Sequence, residues 1–168
     1  MRDGIGEQQS HPSDSSAAST CSILLVEDNP MDVDLTCRAF ARRKKEIAVK
    51  GQPPVEHCRG IQVARDGEEA IAYLRKWDEG EPVPRVILLD LNLPKLNGLE
   101  FLHRLKTHPQ FHTIPVIVLT TSSEDSDIRA AYDLGANSYI IKPVDFDQFS
   151  HVVDHIQIYW CIMNTPPR

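Results

Sequence analysis

Five polar residues in this 168-residue chain stand directly after short apolar runs, and their types together can handle a phosphoryl group. Glu27 and Asp28 follow Ile23, Leu24, Leu25 and Val26; Asp90 follows Val86, Ile87, Leu88 and Leu89. Thr120 follows a run from Val116 to Leu119, and Lys142 follows Tyr139, Ile140 and Ile141. Carboxylates crowded together repel one another, which raises the pKa of some of them unless a cation joins them. A hard divalent ion with oxygen ligands at ~2.0 to 2.1 Å relieves that repulsion, and magnesium suits a site that keeps water ligands. The Lys142 ammonium and the Thr120 hydroxyl are then left to hold an anion. Such a set suits phosphoryl transfer, which depends on positioning and on neutralising charge over the phosphoryl oxygens. Asp90 is the expected nucleophile, forming an aspartyl phosphate.

These residues can meet only if the runs before them are strands of one sheet, pointing the same way. Each run is short and nearly all apolar, the pattern of a strand covered on both faces in a parallel sheet. The segments between them read as helices. Asn29-Pro30 is an N-cap followed by a proline at the first helical position, opening a helix that is expected to end near Arg42. A polar connection over 43–59 follows, longer than the usual αβ loop. Ile61, Val63 and Ala64 form a further short strand, and Asp66-Gly67-Glu68-Glu69 opens the next helix as a capping box. Asn97 caps a third helix; a fourth, from about Glu124 to Leu134, stops at Gly135. A last helix runs from Asp145 to about Met163. Five strands alternating with helices predict an α/β doubly wound parallel sheet, whose ligand site lies beyond the carboxyl ends of the strands.

The bulk composition narrows the function. Hydrophobic residues at 41% and charged residues at 25% are ordinary globular values. A formal charge of -6 argues against a nucleic-acid partner. No apolar run reaches the length of a membrane span, and the N-terminus has no secretory core, so a cytoplasmic location is expected. The four cysteines show no zinc or Cys-x-x-Cys spacing and read as free thiols. Residues 1–21 have the composition of a disordered tail, leaving a domain over 22–163 and a short tail over 164–168. His151 and His155, four apart on the last helix, have no third ligand nearby and read as a solvated face. The run Arg42-Arg43-Lys44-Lys45 reads as a helix end favourable to the dipole.

The motifs Leu24-Leu25-Val26-Glu27-Asp28-Asn29, the Asp90 run with Pro94 and Gly98, Thr120, and Tyr139-Ile140-Ile141-Lys142-Pro143 together resemble the receiver domain of two-component response regulators. The resemblance covers about residues 22–160. It implies a flavodoxin-like (βα)5 fold with strand order 2-1-3-4-5 and phosphorylation of Asp90 by a histidine kinase. It also implies magnesium held by Asp28, Asp90 and the backbone carbonyl of Asn92, with Glu27 acting through a water. Lys142 would contact the phosphoryl oxygens, and its bond to Pro143 is expected to be cis. Thr120 and Tyr139 match the family's switch pair. Glu27 stands where Asp is commoner, and Thr121 stands where a small residue is common, which is expected to slow small phosphodonors. Within the family the motifs look most like regulators paired with bacterial phytochrome kinases. Two alternatives remain at this point: a phosphatase of the haloacid dehalogenase type, whose general-acid position is here Asn92, and a dimerisation scaffold that needs no phosphorylation.

Only about 20 residues follow Pro143 before the tail Thr165-Pro166-Pro167-Arg168, too few for an effector domain, so output through protein contact is expected. The apolar residues from Ile156 to Met163 point nearly all round the last helix, and an all-round apolar turn needs a second surface to cover it. A homodimer through that helix is expected, with Phe149, Val153, Ile156, Tyr159 and Trp160 at the interface.

Overall fold

The computed structural model describes residues 21–49 and 58–166. Five strands, β1 (Cys21–Val26), β2 (Cys58–Ala64), β3 (Val86–Leu89), β4 (Val116–Thr120) and β5 (Ser138–Ile141), alternate with five helices. The helices are α1 (Pro30–Val49), α2 (Gly67–Asp78), α3 (Gly98–Lys106), α4 (Asp125–Asp133) and α5 (Phe146–Ile156), the last continued by a π-helical extension, Gln157–Met163. All strand pairs are parallel, in the order β2-β1-β3-β4-β5. The flavodoxin-like architecture expected from the sequence is therefore the observed one.

The two-residue period of a strand divides the apolar runs between two cores. Leu24, Val26, Ile87, Leu89, Val116 and Val118 face the side covered by α2 and α3. Ile23, Leu25, Val86, Leu88, Ile117 and Leu119 face the side covered by α1 and α5. Every residue of β3 is fully buried, which is why its sequence shows no polar alternation. Burying a Leu or Ile contributes roughly 1.5–3 kcal/mol, so these two layers carry most of the folding energy.

The helix starts obey local rules. Asn29 Oδ1 accepts from the Met31 N–H at 2.9 Å, ahead of Pro30 at the first helical position. Asp66 Oδ1 accepts from Glu69 N–H at 2.8 Å, and Glu69 Oε2 accepts in return from Arg65 N–H at 2.7 Å. Asn97 Oδ1 accepts from Glu100 N–H at 2.9 Å. Gly135, just past α4, has φ +91°, the left-handed conformation expected there.

Four expectations need correction. Helix α1 does not end near Arg42 but continues to Val49, because residues 43–48 are helix formers and no Gly or Pro intervenes before Gly51. The long connection expected over 43–59 is thus helix to Val49 and strand from Cys58; residues 50–57 lie outside the described residues, as does the expected tail as far as residue 20. The first strand begins at Cys21, one residue before the expected domain boundary. Among the described residues no peptide bond is cis, so Lys142–Pro143 takes the trans form, which an X–Pro bond prefers by about 0.5–1 kcal/mol.

The fourth concerns the last helix. Phe149, Val153 and Ile156 recur on one face of α5 and are buried within the protomer against α1 and the sheet. They are core residues, not interface residues. Beyond Ile156 the wider π-helical turn buries Cys161 and leaves Tyr159, Ile162 and Met163 exposed, with Trp160 half-buried. The Arg85 guanidinium donates to the Asn164 carbonyl at 2.6 Å, tying the end of this extension to the start of β3. Cys37 is a free thiol. Among the described residues no helix is long and apolar enough to cross a membrane.

Candidate functional site

The register of the sheet aligns the strand ends. Val26 is paired with Leu89, so the next residues, Glu27 and Asp90, leave the sheet side by side at the point where strand order reverses. Two backbone bonds extend the ladder past the strand ends: Asp90 N–H donates to the Val26 carbonyl at 3.0 Å, and Glu27 N–H to the Ala64 carbonyl at 2.9 Å. Lys142 N–H donates to the Thr120 carbonyl at 2.8 Å, fixing the β5 end against β4.

Asp90 is held through both carboxylate oxygens. Its Oδ1 accepts from the Thr120 hydroxyl at 2.7 Å and from the Asn92 N–H at 3.0 Å; its Oδ2 accepts from the Lys142 ammonium at 2.7 Å. Lys142 also donates to Glu27 Oε2 at 2.5 Å and to Asp32 Oδ2 at 2.8 Å. Glu27 accepts in turn from Asn29 N–H at 3.1 Å. Glu27, Asp90, Thr120 and Lys142 are all buried, whereas Asp28 is exposed. One carboxylate oxygen each from Glu27, Asp28 and Asp90 lie within 4.8 Å of one another. Thr121 is exposed at the rim, its Oγ1 accepting from Asn92 Nδ2 at 3.4 Å.

Burial is the largest influence on Glu27, lifting its carboxyl to about 7 against the opposing hydrogen bond and charge of Lys142. For Lys142, burial works against the ammonium, but hydrogen bonds to Asp32, Asp90 and Glu27 outweigh it and hold the group above the usual lysine range. Tyr139 donates its hydroxyl to the Ser122 carbonyl at 3.1 Å, and burial raises its phenol above the ordinary value. The Ser122 hydroxyl donates to Asp127 Oδ2 at 2.6 Å, so Tyr139 reaches α4 through a single intervening residue.

The loop after Asp90 is packed against both neighbours. A Cβ on Gly98 would strike the Asp90 carbonyl oxygen and lie 2.7 Å from the Leu91 Cα, so only glycine fits. Lys95 takes φ +65°, and its ammonium bonds Asp66 Oδ2 at 2.5 Å, linking this loop to the start of α2.

The structure thus brings together Glu27, Asp28, Asp90, Asn92, Thr120 and Lys142, with Tyr139 one shell behind. The sequence reading missed Asp32. Its signal was available only as an acidic residue in the first turn of α1, a position that helix dipoles favour without any function. The donor set fits a hard divalent cation: three carboxylates with a shared focus, two of them buried beside a single lysine, leave an excess of negative charge for an ion to neutralise.

Residues 23–154 match the family model described as the response regulator receiver domain, and the chain belongs to that family. It is 37% identical over 147 residues to the response regulator Rcp1 of Synechocystis, covering 86% of this chain and 92% of Rcp1. It is 42% identical over 146 residues to the probable methanogenesis regulatory protein FilR2 of Methanothrix harundinacea, covering 86% of each. The crystal structure of the phosphorylated cyanobacterial phytochrome response regulator RcpA superimposes with a TM-score of 0.76 at 38% identity, over 89% of this chain and 99% of that one. The Mn(2+)-bound form of Rcp1 gives a TM-score of 0.73 at 35% identity, over 88% and 99%. Proteins of this family are phosphoacceptors rather than classical enzymes, so the haloacid dehalogenase alternative is set aside.

Proposed function

We propose that the protein accepts a phosphoryl group on Asp90 from a histidine kinase of the phytochrome type and passes the signal on by protein contact. The observation that carries this reading is the pair of restraints on Asp90: Lys142 on Oδ2, with Thr120 and the Asn92 N–H on Oδ1. A carboxylate so oriented presents an oxygen to phosphorus. The new P–O bond forms as the bond to the donor histidine nitrogen breaks, and the electron pair leaves with the imidazole. Lys142 stands where phosphoryl oxygens would arrive and offsets their charge.

Glu27, Asp28 and Asp90, with the Asn92 carbonyl, would hold Mg2+, Glu27 acting through a water. When bound, the ion supplies positive charge toward the phosphoryl oxygens. Thr120 and Tyr139 form the switch pair: the Thr120 hydroxyl transfers its bond from Asp90 Oδ1 to the phosphoryl group, and the Tyr139 ring follows, giving up the Ser122 carbonyl. A phosphoryl charge of about -1.5 to -2 biases a two-state equilibrium by ~1–3 kcal/mol. The kinase assignment draws support from Rcp1 and RcpA, a relative and a solved structure that share 37% and 38% identity with this chain. The exposed Tyr159, Ile162 and Met163, with the half-buried Trp160, are the surface through which two copies associate. A receiver domain from β1 to residue 163, with a tail on either side, is the proposed organisation.

Intact-mass measurement after incubation with acetyl phosphate and Mg2+, and separately with a phosphorylated phytochrome kinase, tests the reading. A gain of one phosphoryl mass in wild type and none in Asp90→Asn is expected. No gain from either donor would overturn it in favour of a phosphorylation-independent scaffold.

A further inference from the structure

Lys142 has three N–H donors, and each meets a different carboxylate: Glu27 Oε2 at 2.5 Å, Asp90 Oδ2 at 2.7 Å and Asp32 Oδ2 at 2.8 Å. Glu27 and Asp90 belong to the group whose oxygens share a focus with Asp28. A cation at that focus, or a phosphoryl group on Asp90, draws on the same two carboxylates as Lys142. Asp32 lies outside that group. It stands in the first turn of α1, 110 positions from Lys142 in the chain yet in direct contact with it. Its side chain is 26% exposed, while that of Lys142 is 5% exposed, so the bond is directed inward from the rim.

We propose that Asp32 is a positioning residue that anchors the Lys142 ammonium, keeping it over Asp90 when Glu27 and Asp90 are engaged elsewhere. With Asp32 holding one N–H, the remaining two are free to turn to phosphoryl oxygens without the side chain losing its place. Without Asp32 the lysine rests only on groups that the reaction itself recruits. The consequence for phosphorylation rests on Asp90 being the acceptor; the anchoring does not.

Two readouts separate these. The first is the 15N-detected ammonium signal of Lys142 in the metal-free protein, assigned by its loss in Lys142→Arg. A buried ammonium with three acceptors exchanges slowly and gives such a signal. Asp32→Ala is expected to lose it and Asp32→Asn, which keeps an acceptor oxygen, to retain it. Persistence of the signal in Asp32→Ala overturns the proposal. The second is labelling by acetyl phosphate, with Mg2+ affinity measured by calorimetry. Asp32→Ala is expected to slow maximal labelling about tenfold while Mg2+ affinity stays within about twofold. A loss of Mg2+ affinity of tenfold or more, the scale seen when metal ligands or their partners are removed, overturns it by making Asp32 part of the metal site. Absence of labelling in wild type refutes the acceptor reading alone, and the ammonium signal still decides the role of Asp32.

Discussion

The ammonium of Lys95 lies 2.5 Å from Asp66 Oδ2, fastening the loop that follows Asp90 to the N-terminus of α2. The Asp66 side chain is 8% exposed and also caps α2 through Glu69 N–H. Lys95 holds the Asp66 carboxyl below its usual range, with the Glu69 N–H adding to the effect. A carboxyl whose folded-state pKa is depressed stabilises the fold above its unfolded pKa of about 3.9 and loses that contribution as pH falls through the folded value. Asp66→Asn is therefore expected to be less stable than wild type at pH 7, with the gap closing as pH falls below that value. Urea midpoints across this range check it; a gap that stays constant with pH would assign the effect to helix capping alone.

Gly98 has no room for a methyl group, because the Asp90 carbonyl oxygen and the Leu91 Cα occupy the space. Both obstacles are backbone, so relief requires moving the loop that carries Asn92. Gly98→Ala is expected to cost roughly 1–3 kcal/mol in a urea melt and to slow labelling of Asp90.

Relief of carboxylate repulsion by a divalent cation stabilises the native state in proportion to occupancy. At ten times the dissociation constant, Mg2+ is expected to add about 1.4 kcal/mol, raising Tm by roughly 3–6 °C. Asp28→Asn removes the exposed member of the trio and should abolish most of that increase. Thermal melts with and without Mg2+ measure both.

Thr121 and Asn92 meet at 3.4 Å across the rim, narrowing access beside Asp90. Thr121→Ala is expected to raise the labelling rate with acetyl phosphate several-fold. An unchanged rate would show that access is not limiting.

The dimer proposed through the C-terminal extension would use residues that the protomer leaves uncovered. Tyr159 is 52% exposed and Met163 66% exposed, and the Tyr159 and Trp160 rings meet edge to face at 5.0 Å. Light scattering should show wild type as a dimer and the double variant Tyr159→Lys, Met163→Lys as a monomer with unchanged helicity. Equal masses for the two would remove this surface from the interface.

What the sequence determined by itself was local. Residues 23–26, 86–89 and 116–119 are strands because buried parallel strands are short apolar runs, and the polar residues after them had to emerge at one edge once the runs were neighbours. Asp66 and Asn97 cap helices through bonds spanning three residues, a reach that spacing reveals. The resemblance to receiver domains then supplied the roles proposed for those residues.

Tertiary structure decided what depends on which surfaces meet. The apolar pattern of Phe149, Val153 and Ile156 is the same whether a helix covers its own sheet or a second chain, and only the packing of α5 beside α1 assigned them to the core. Nothing in the spacing of Asp32 pointed to Lys142, since their approach depends on α1 starting and β5 ending at the same sheet edge. The continuation of α1 to Val49 lay in residues whose charge suggested a loop but whose helix propensity was good. Patterns repeated within a few residues are written in the chain, whereas a contact between distant positions exists only once the whole sheet has formed.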